Sequence, residues 1–447
     1  MKTVIRPETE MKDSGLDWIR YIPENWNSMP LKKYFQFGKG LPITKADLTE
    51  IGEKVISYGQ IHAKFNTGVS VDDRLIRFVT DNYKLTNSNS LCSKGDIILA
   101  DTSEDKEGCG NAVYIDCNEK IFAGYHTIIL KSTKDNKYLA YLIQSDSWRS
   151  QIRTRVHGVK LFSITQKVLN QCTIILPPLH EQQMIADYLD KTCSKIDEVV
   201  EEANASIDEY KKLKQSVIFE AVTKGIDNNV NMKESGIEWI GKIPFDWSIA
   251  KINHVAWTTS GATPLRSKET EYYDNAVIRW VKTLDLNNGH ITDSSEKITE
   301  TALKNSSCSI MPVKTVCVAM YGGAGTIGKS GILDVECATN QAICSIVSNE
   351  KVINPDYLHY AMMAVRKYWM KYAVGTRKDP NINQQIIAQM RIPVPPLSKQ
   401  DIIVNHLYKM TDKCDSLIAE KESLINDLEA YKKSLIYEVV TGKRRVV

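Results

Sequence analysis

At 447 residues, 43% hydrophobic and 25% charged, the chain has ordinary globular composition and a length that allows about two to four domains. No run approaches the ~18 uninterrupted apolar residues of a membrane span, and the opening MKTVIRPETE lacks the apolar core of a secretion signal, so the cytoplasm is expected and a membrane partner is not. A net charge of +3 is too small to argue for nucleic acid by itself, which leaves that question to local clusters.

Segment 1–26 holds MKDSGLDWIRYIPENW at 11–26, and the phrase returns without a gap as MKESGIEWIGKIPFDW at 232–247. A second pair, LPPLHEQQMIADYL from Leu176 and VPPLSKQDIIVNHL from Val394, shares the same period of roughly 220 residues. That is far too long for a solenoid unit, so a whole module is duplicated. Trp18, Trp26, Trp239 and Trp247 repeat among apolar residues and are expected to pack rather than to stack on bases.

Segment 27–175 is a first insert. Strands are expected at 96–100 (DIILA), 112–115 and 127–130, between clusters of Gly, Asn, Asp and Ser, with a helix over 137–155. Its late run WRSQIRTRVHGVK carries Arg149, Arg153, Arg155 and Lys160 without an acid. Segment 176–226 follows as a first helical spacer. Pro177 and Pro178 stop the strand-like TIIL and fix the start of a helix, and 180–222 contains neither Pro nor Gly. Ile185, Leu189, Ile196, Val199, Ala203, Tyr210, Leu213 and Val217 are spaced as a coiled-coil seam.

Segment 227–247 restores the frame, and 248–393 is a second insert of similar length but little common wording. Strands are expected at 313–320 and 342–347 and a helix at 356–372. An acid-free run recurs late in this insert, RKYWMKYAVGTRK, with Arg366, Lys367, Lys371, Arg377 and Lys378. A lone charge run is usually a solvated face, but recurrence at equivalent places in divergent sequence favours a shared anionic ligand, with phosphate backbones the commonest.

Inside the second insert lies GAGTIGKS, whose first residue is Gly323 and last Ser330, a literal phosphate-binding-loop pattern. That pattern holds a nucleotide only where a helix begins at the Lys-Ser, and Ser330 is followed instead by GILDVECATN, which reads as a short strand and turn. A glycine-rich hairpin is the preferred reading, with a nucleotide-binding enzyme resting on Lys329 as the alternative. No D-P-P-Y, N-P-P-Y or H-E-x-x-H motif occurs, and the eight histidines are scattered, so no chemistry is expected of the chain. The ten cysteines form no CxxC pair, and several (Cys172, Cys317, Cys344) lie in apolar runs, as reduced core thiols do.

Segment 394–447 repeats the Pro-Pro start and a helix over 398–440, with Ile403, Leu407, Met410, Cys414, Leu417, Leu424, Leu428, Tyr431 and Leu435 on the seam and Lys421 interrupting it. Pairing the two helices with each other is the economical solution. The expected fold class is mixed α/β: two α/β domains separated by a pair of long antiparallel coiled-coil helices, with an internal pseudo-twofold repeat. A coiled-coil scaffold without other function remains a rival, but it gives the paired basic runs and divergent inserts no reason.

The ESGIEWIGKIP-type openings, the PPLxxQ starts at 177–182 and 395–400, and the endings SVIFEAVTKG and SLIYEVVTGK resemble the specificity subunit of type I restriction-modification enzymes over nearly the whole chain. Further family-like phrases are ADTSEDKEGCGNAVYI with AGYHTIIL in the first insert and AMYGGAGTIGKSGIL with ATNQAICSI and NIN in the second, where the first has SIT in place of NIN. The resemblance implies two target-recognition domains on double-stranded DNA, each reading one half of a bipartite site. It also implies helices that space them and dock two methyltransferase subunits, with a restriction and translocase subunit joining. S-adenosylmethionine and ATP would sit on those partners, and no cofactor is expected in this chain. The basic runs would hold phosphates. Base readers nominated by type and loop placement are Tyr58, Gln60, His62, Ser103, Lys106 and His126 in the first insert, and Arg266, Lys268, Thr283, Tyr321 and Gln341 in the second.

Overall fold

Ile97–Ala100 and Val316–Ala319 are apolar at every position, and each becomes an interior strand buried on both faces. The computed structural model describes residues 2–132, 136–158, 160–227, 229–322, 325–375 and 380–447. The chain folds as two compact units, Met1–Ala203 with Ser423–Val447, and Asn204–Glu422.

In the first unit an antiparallel sheet runs Ala112–Tyr114, Ile97–Ala100, Thr127–Lys131, Gln36–Lys39. A second sheet runs Arg77–Val79, Glu53–Ile56, Ile121–Ala123, Leu91–Cys92, with Glu53–Ile56 parallel to Ile121–Ala123. The second unit repeats this plan. Ala256–Ser260, Ile343–Ser348, Val316–Ala319, Ser330–Leu333 and His290–Ile291 form one sheet, and Glu296–Ile298, Ile278–Val281 and Ala338–Thr339 the other, again with one parallel pair.

Each insert starts and finishes on one two-stranded ladder. Asn27–Pro30 pairs antiparallel with Thr173–Leu176, and Ser248–Lys251 with Arg391–Val394. A buried tyrosine ties each ladder to a long helix: Tyr138 Oη lies 3.1 Å from the Ile175 carbonyl and 3.0 Å from that of Val440, and Tyr357 Oη lies 3.0 Å from Pro393 and 3.3 Å from Val222. Trp26, Trp239 and Trp247 are buried in the frame and Trp18 is half-buried, so these rings pack.

The helices expected over 180–222 and 398–440 are Leu179–Lys224 (α1) and Leu397–Val440 (α2). In the first unit Ile185, Leu189 and Cys193 of α1 share a core with Leu435 and Val439 of α2, and in the second Ile218 and Val222 share one with Ile403 and Leu407, so the segments run antiparallel in each. The expected seam is out of phase in places. Val199, Leu213, Leu424 and Tyr431 are exposed, while Cys193, Ile207 and Thr411 are buried and Lys214 and Lys432 half-buried. The step after Leu407 spans four residues to Thr411 rather than three to Met410, and that shift moves Leu424 and Tyr431 outward.

Two other helices are broken where one was expected. The 137–155 stretch divides into Lys137–Gln144 and Asp146–Arg153, because Ser145 is extended and its Oγ caps the Trp148 amide. The 356–372 stretch is Pro355–Val365, a 3-10 turn at Arg366–Tyr368, and Trp369–Tyr372. All ten cysteines are unpaired and nine are buried. Among the described residues no helix is long and apolar enough to cross a membrane, and no group of His, Cys, Asp and Glu is placed to hold a metal.

Candidate nucleic-acid interface

In each unit three connections leave the same end of the two sheets. In the first they follow Glu53–Ile56, Ile97–Ala100 and Ile121–Ala123, and in the second Ile278–Val281, Val316–Ala319 and Ala338–Thr339. A glycine lets the chain cross this rim after Gln36–Lys39 in the first unit and after Ala256–Ser260 in the second. A Cβ on Gly40 would lie 1.9 Å from the Gly124 carbonyl oxygen, and one on Gly261 would lie 2.0 Å from that of Thr339. No side chain fits between those backbones.

The rim of the first unit holds a cleft of about 590 Å³ lined by Tyr58, His62, Ser103, Glu104, Asn111 and Arg149 among others. Tyr58 packs edge-on against Tyr125 at 5.5 Å and His126 at 5.4 Å. His126 is exposed with φ of 55°, a left-handed conformation that costs a non-glycine residue about 1 kcal/mol or more, and its Nδ1 lies 3.3 Å from Asp101. Lys106 is exposed in the 101–111 loop. Gln60 instead caps its own helix, its Oε1 accepting the Ser57 amide at 3.2 Å.

His62 has both ring nitrogens engaged, Nε2 at 2.8 Å from the Thr102 carbonyl and Nδ1 at 2.9 Å from Asn111 Nδ2. The Asn111 amide is oriented by Arg149, whose guanidinium donates to Asn111 Oδ1 and to the carbonyls of Glu107 and Cys109. A neutral imidazole carrying its proton on Nε2 satisfies every member of this chain. Arg149 is 9% exposed, and burial, with Arg153 nearby, pushes its guanidinium down to about 10, still charged at neutral pH. Arg149, expected to face a phosphate, spends these donors on fastening the loop.

The remaining basic residues divide by how their charge is met. Arg153 lies 3.0 Å from Asp146 and 3.6 Å from Glu107, acids that the linear run does not contain. Arg155 donates to the Gln151 carbonyl at 2.7 Å, and Lys160 is exposed. In the second unit Arg366 is half-buried and donates to the Gly325 carbonyl at 2.9 Å, Lys371 pairs with Glu238 at 2.8 Å, and exposed Lys367 lies 4.4 Å over the Phe219 ring. Arg377 and Lys378 lie outside the described residues.

Among the second unit's nominees, Tyr321 and Gln341 meet across the rim. Gln341 also accepts from Thr263, and burial raises the Tyr321 phenol while its hydrogen bond with Gln341 opposes that. Thr283 follows the strand whose Val281 carbonyl accepts the Asn340 amide at 3.0 Å, which puts its turn beside the Gln341 loop. Arg266 is stacked 4.3 Å over Tyr273 and paired with Glu296 at 2.5 Å, and Lys268 is paired with Glu271 at 3.1 Å. These two cations are neutralised locally. Sequence reasoning passed over Tyr125, Asn111, Thr263 and Glu104. Tyr125 and Asn111 stand inside the phrases AGYHT and EGCGN, whose glycines mark the rim turns.

The described part of the GAGTIGKS segment, 325–329, is a turn leading into a strand, with Gly328 bonded to the Ala319 carbonyl and Lys329 to that of Thr326, both at 2.9 Å. Ser330 is fully buried and opens the strand Ser330–Leu333. Among the described residues no helix N-terminus is there to meet a phosphate, so the nucleotide alternative loses its geometric basis. Gly323 and Ala324 lie outside the described residues.

Residues 23–209 and 244–427 match the type I restriction modification DNA specificity domain. The chain belongs to that family. It is 24% identical over 443 residues to the type I restriction enzyme MjaVIII specificity subunit of Methanocaldococcus jannaschii, covering 95% of this chain and 94% of the relative. It is also 24% identical over 206 residues to the EcoKI specificity subunit of Escherichia coli K12, 45% of this chain and 44% of that one. A solved chain from work on complex assembly and conformational transition of the type I R-M system shares the fold, with a TM-score of 0.71 at 15% identity over 94% of this chain and 99% of the other. The protein is a type I specificity subunit with two target-recognition domains, one in each half of the duplicated frame. Neither the nucleotide-enzyme nor the bare-scaffold reading finds a counterpart among these relatives.

Proposed function

We propose that each target-recognition domain of this specificity subunit reads one half of an asymmetric, bipartite site in double-stranded DNA, working in the cytoplasm. The long helices space the two readers and dock two methyltransferase subunits, and a restriction and translocase subunit completes the complex. The chain itself catalyses nothing, and S-adenosylmethionine and ATP belong to the partners.

The observation that carries this reading is the pairing of a repeated frame with two divergent inserts, each presenting loops at one end of its sheets. A repeated frame suits partners present twice, and divergent loops suit two different base sequences. Exposed Lys106, Lys160 and Lys367 supply sequence-independent contacts to phosphate, while rim side chains supply base choice.

The test is to produce the chain with its methyltransferase partner in a methylation-free host and map methylated adenines across the genome. Two short defined motifs separated by a spacer of fixed length and free sequence are expected. A single contiguous motif, or methylation that persists without this chain, would overturn the reading.

A further inference from the structure

The 101–111 loop of the first unit is acidic for a surface facing DNA, with Asp101, Glu104, Asp105 and Glu107 against a single Lys106. Every carboxylate near a duplex is repelled by phosphates unless its charge is met. Three of the four are met within the protein. Asp101 accepts from Thr102 Oγ1 at 2.7 Å and lies near His126, Asp105 accepts the Gly108 amide, and Glu107 pairs with Arg153 at 3.6 Å. Glu104 is exposed and has no hydrogen-bond or ion-pair partner among the described residues.

Its backbone is nevertheless held in place. Glu104 lines the rim cleft beside Tyr58, His62 and Ser103, on a loop held by the Arg149–Asn111–His62–Thr102 chain of hydrogen bonds. A loop already ordered in this way adds little backbone ordering cost on binding, which leaves only the Glu104 rotamers to be fixed.

We infer that Glu104 is a specificity-determining residue of the first target-recognition domain and selects a cytosine through its N4 amino group. The inference rests on the proposed reading of DNA by this domain. A carboxylate can only accept. In the major groove guanine offers two acceptors and thymine offers an acceptor and a methyl group, so both repel it. Adenine has a donor at N6 but an acceptor at N7 beside it. Cytosine presents its free N4 hydrogen with no acceptor on its own major-groove edge, and is the base a carboxylate oxygen meets with least conflict.

The experiment uses the full chain with its methyltransferase partner, as wild type, Glu104→Gln and Glu104→Ala, with genome-wide mapping of methylated adenines. It is paired with competition binding to duplexes altered one position at a time. Glu104→Ala should relax one cytosine position of one half-site, lowering its discrimination about ten-fold or more. Glu104→Gln should move that position towards adenine, because a carboxamide both accepts from N6 and donates to N7. The other half-site should be unchanged in both variants. An unaltered motif, a uniform loss at every position, or relaxation at a position that was not cytosine would overturn the assignment. A wild-type complex that methylates no two-part site would remove the underlying reading instead, which the variants alone would not do.

Discussion

His359 sits 5% exposed in the helix Pro355–Val365, and burial, helped by His290, Lys214 and Lys314 nearby, pushes its imidazole down to about 3. Its Nε2 has no hydrogen-bond partner among the described residues. The folded state therefore holds it neutral, whereas the unfolded chain takes up a proton below about pH 6.5. The sign follows: its contribution is complete above pH 6.5 and declines as pH falls towards 3, by an amount on the order of 2–3 kcal/mol at pH 4. Carboxylates lose stability in the same range, so the informative quantity is the difference between wild type and His359→Leu. The variant should melt with a shallower acid limb between pH 6.5 and 4.5, and parallel curves of melting temperature against pH would refute the assignment. Single side chains were the least legible part of this sequence. Arg149 and Arg153 read as free cations along the chain because their partners, the Glu107 and Cys109 carbonyls and the Asp146 carboxylate, meet them only in three dimensions. What was legible for Tyr58 and His126 was their place in connections at strand ends, marked by the neighbouring Gly59 and Gly124.

At the scale of elements, the duplicated helices carry a duplicated ion pair. In the first unit Lys432 Nζ lies 2.6 Å from Asp197, and in the second Lys214 Nζ lies 2.6 Å from Asp415. Asp197 and Asp415 occupy the same place in their copies, as do Lys214 and Lys432. Both pairs are partly exposed, so each is worth about 1 kcal/mol or less, and its use lies in excluding other registers. Reversing one partner, Lys432→Asp, sets a carboxylate against Asp197 and should lower the melting temperature by a few degrees. The double exchange Asp197→Lys with Lys432→Asp should recover most of that loss. If the double variant lost the sum of the two single effects, the pair would have no part in register. The helices themselves were plain in the sequence, since some forty residues without Pro or Gly leave few alternatives. Their phase was not. Val199, Leu213, Leu424 and Tyr431 offered apolar residues at heptad spacing, while the observed seam spends positions on Thr411, Lys214 and Lys432, which a hydrophobic template rejects.

For the whole molecule, the question is whether one recognition domain can be exchanged without disturbing the other. The first insert leaves and returns to the frame through paired strands in fixed register, Asn27 opposite Leu176 and Pro30 opposite Thr173. One tie to a long helix is the buried Tyr138, whose hydroxyl lies between that ladder and the Val440 carbonyl, and Tyr141 and Lys137 add bonds to Asp190. The second insert uses the same devices, with Ser248 opposite Val394 and Tyr357 in the place of Tyr138. An insert taken from a relative should fold here if its outer strands keep this ladder and it carries a tyrosine at the Tyr138 place. A Tyr138→Phe control removes the one hydroxyl proton that the Ile175 and Val440 carbonyls share, at a cost of about 1–3 kcal/mol, which separates a poor graft from a failed idea. Replacing residues 31–172 should then change one half of the methylated motif and leave the other half intact. Altered halves on both sides in a chimera that melts like the parent would mean that the two domains do not read independently, and the division of labour proposed for the frame and its inserts would have to be abandoned.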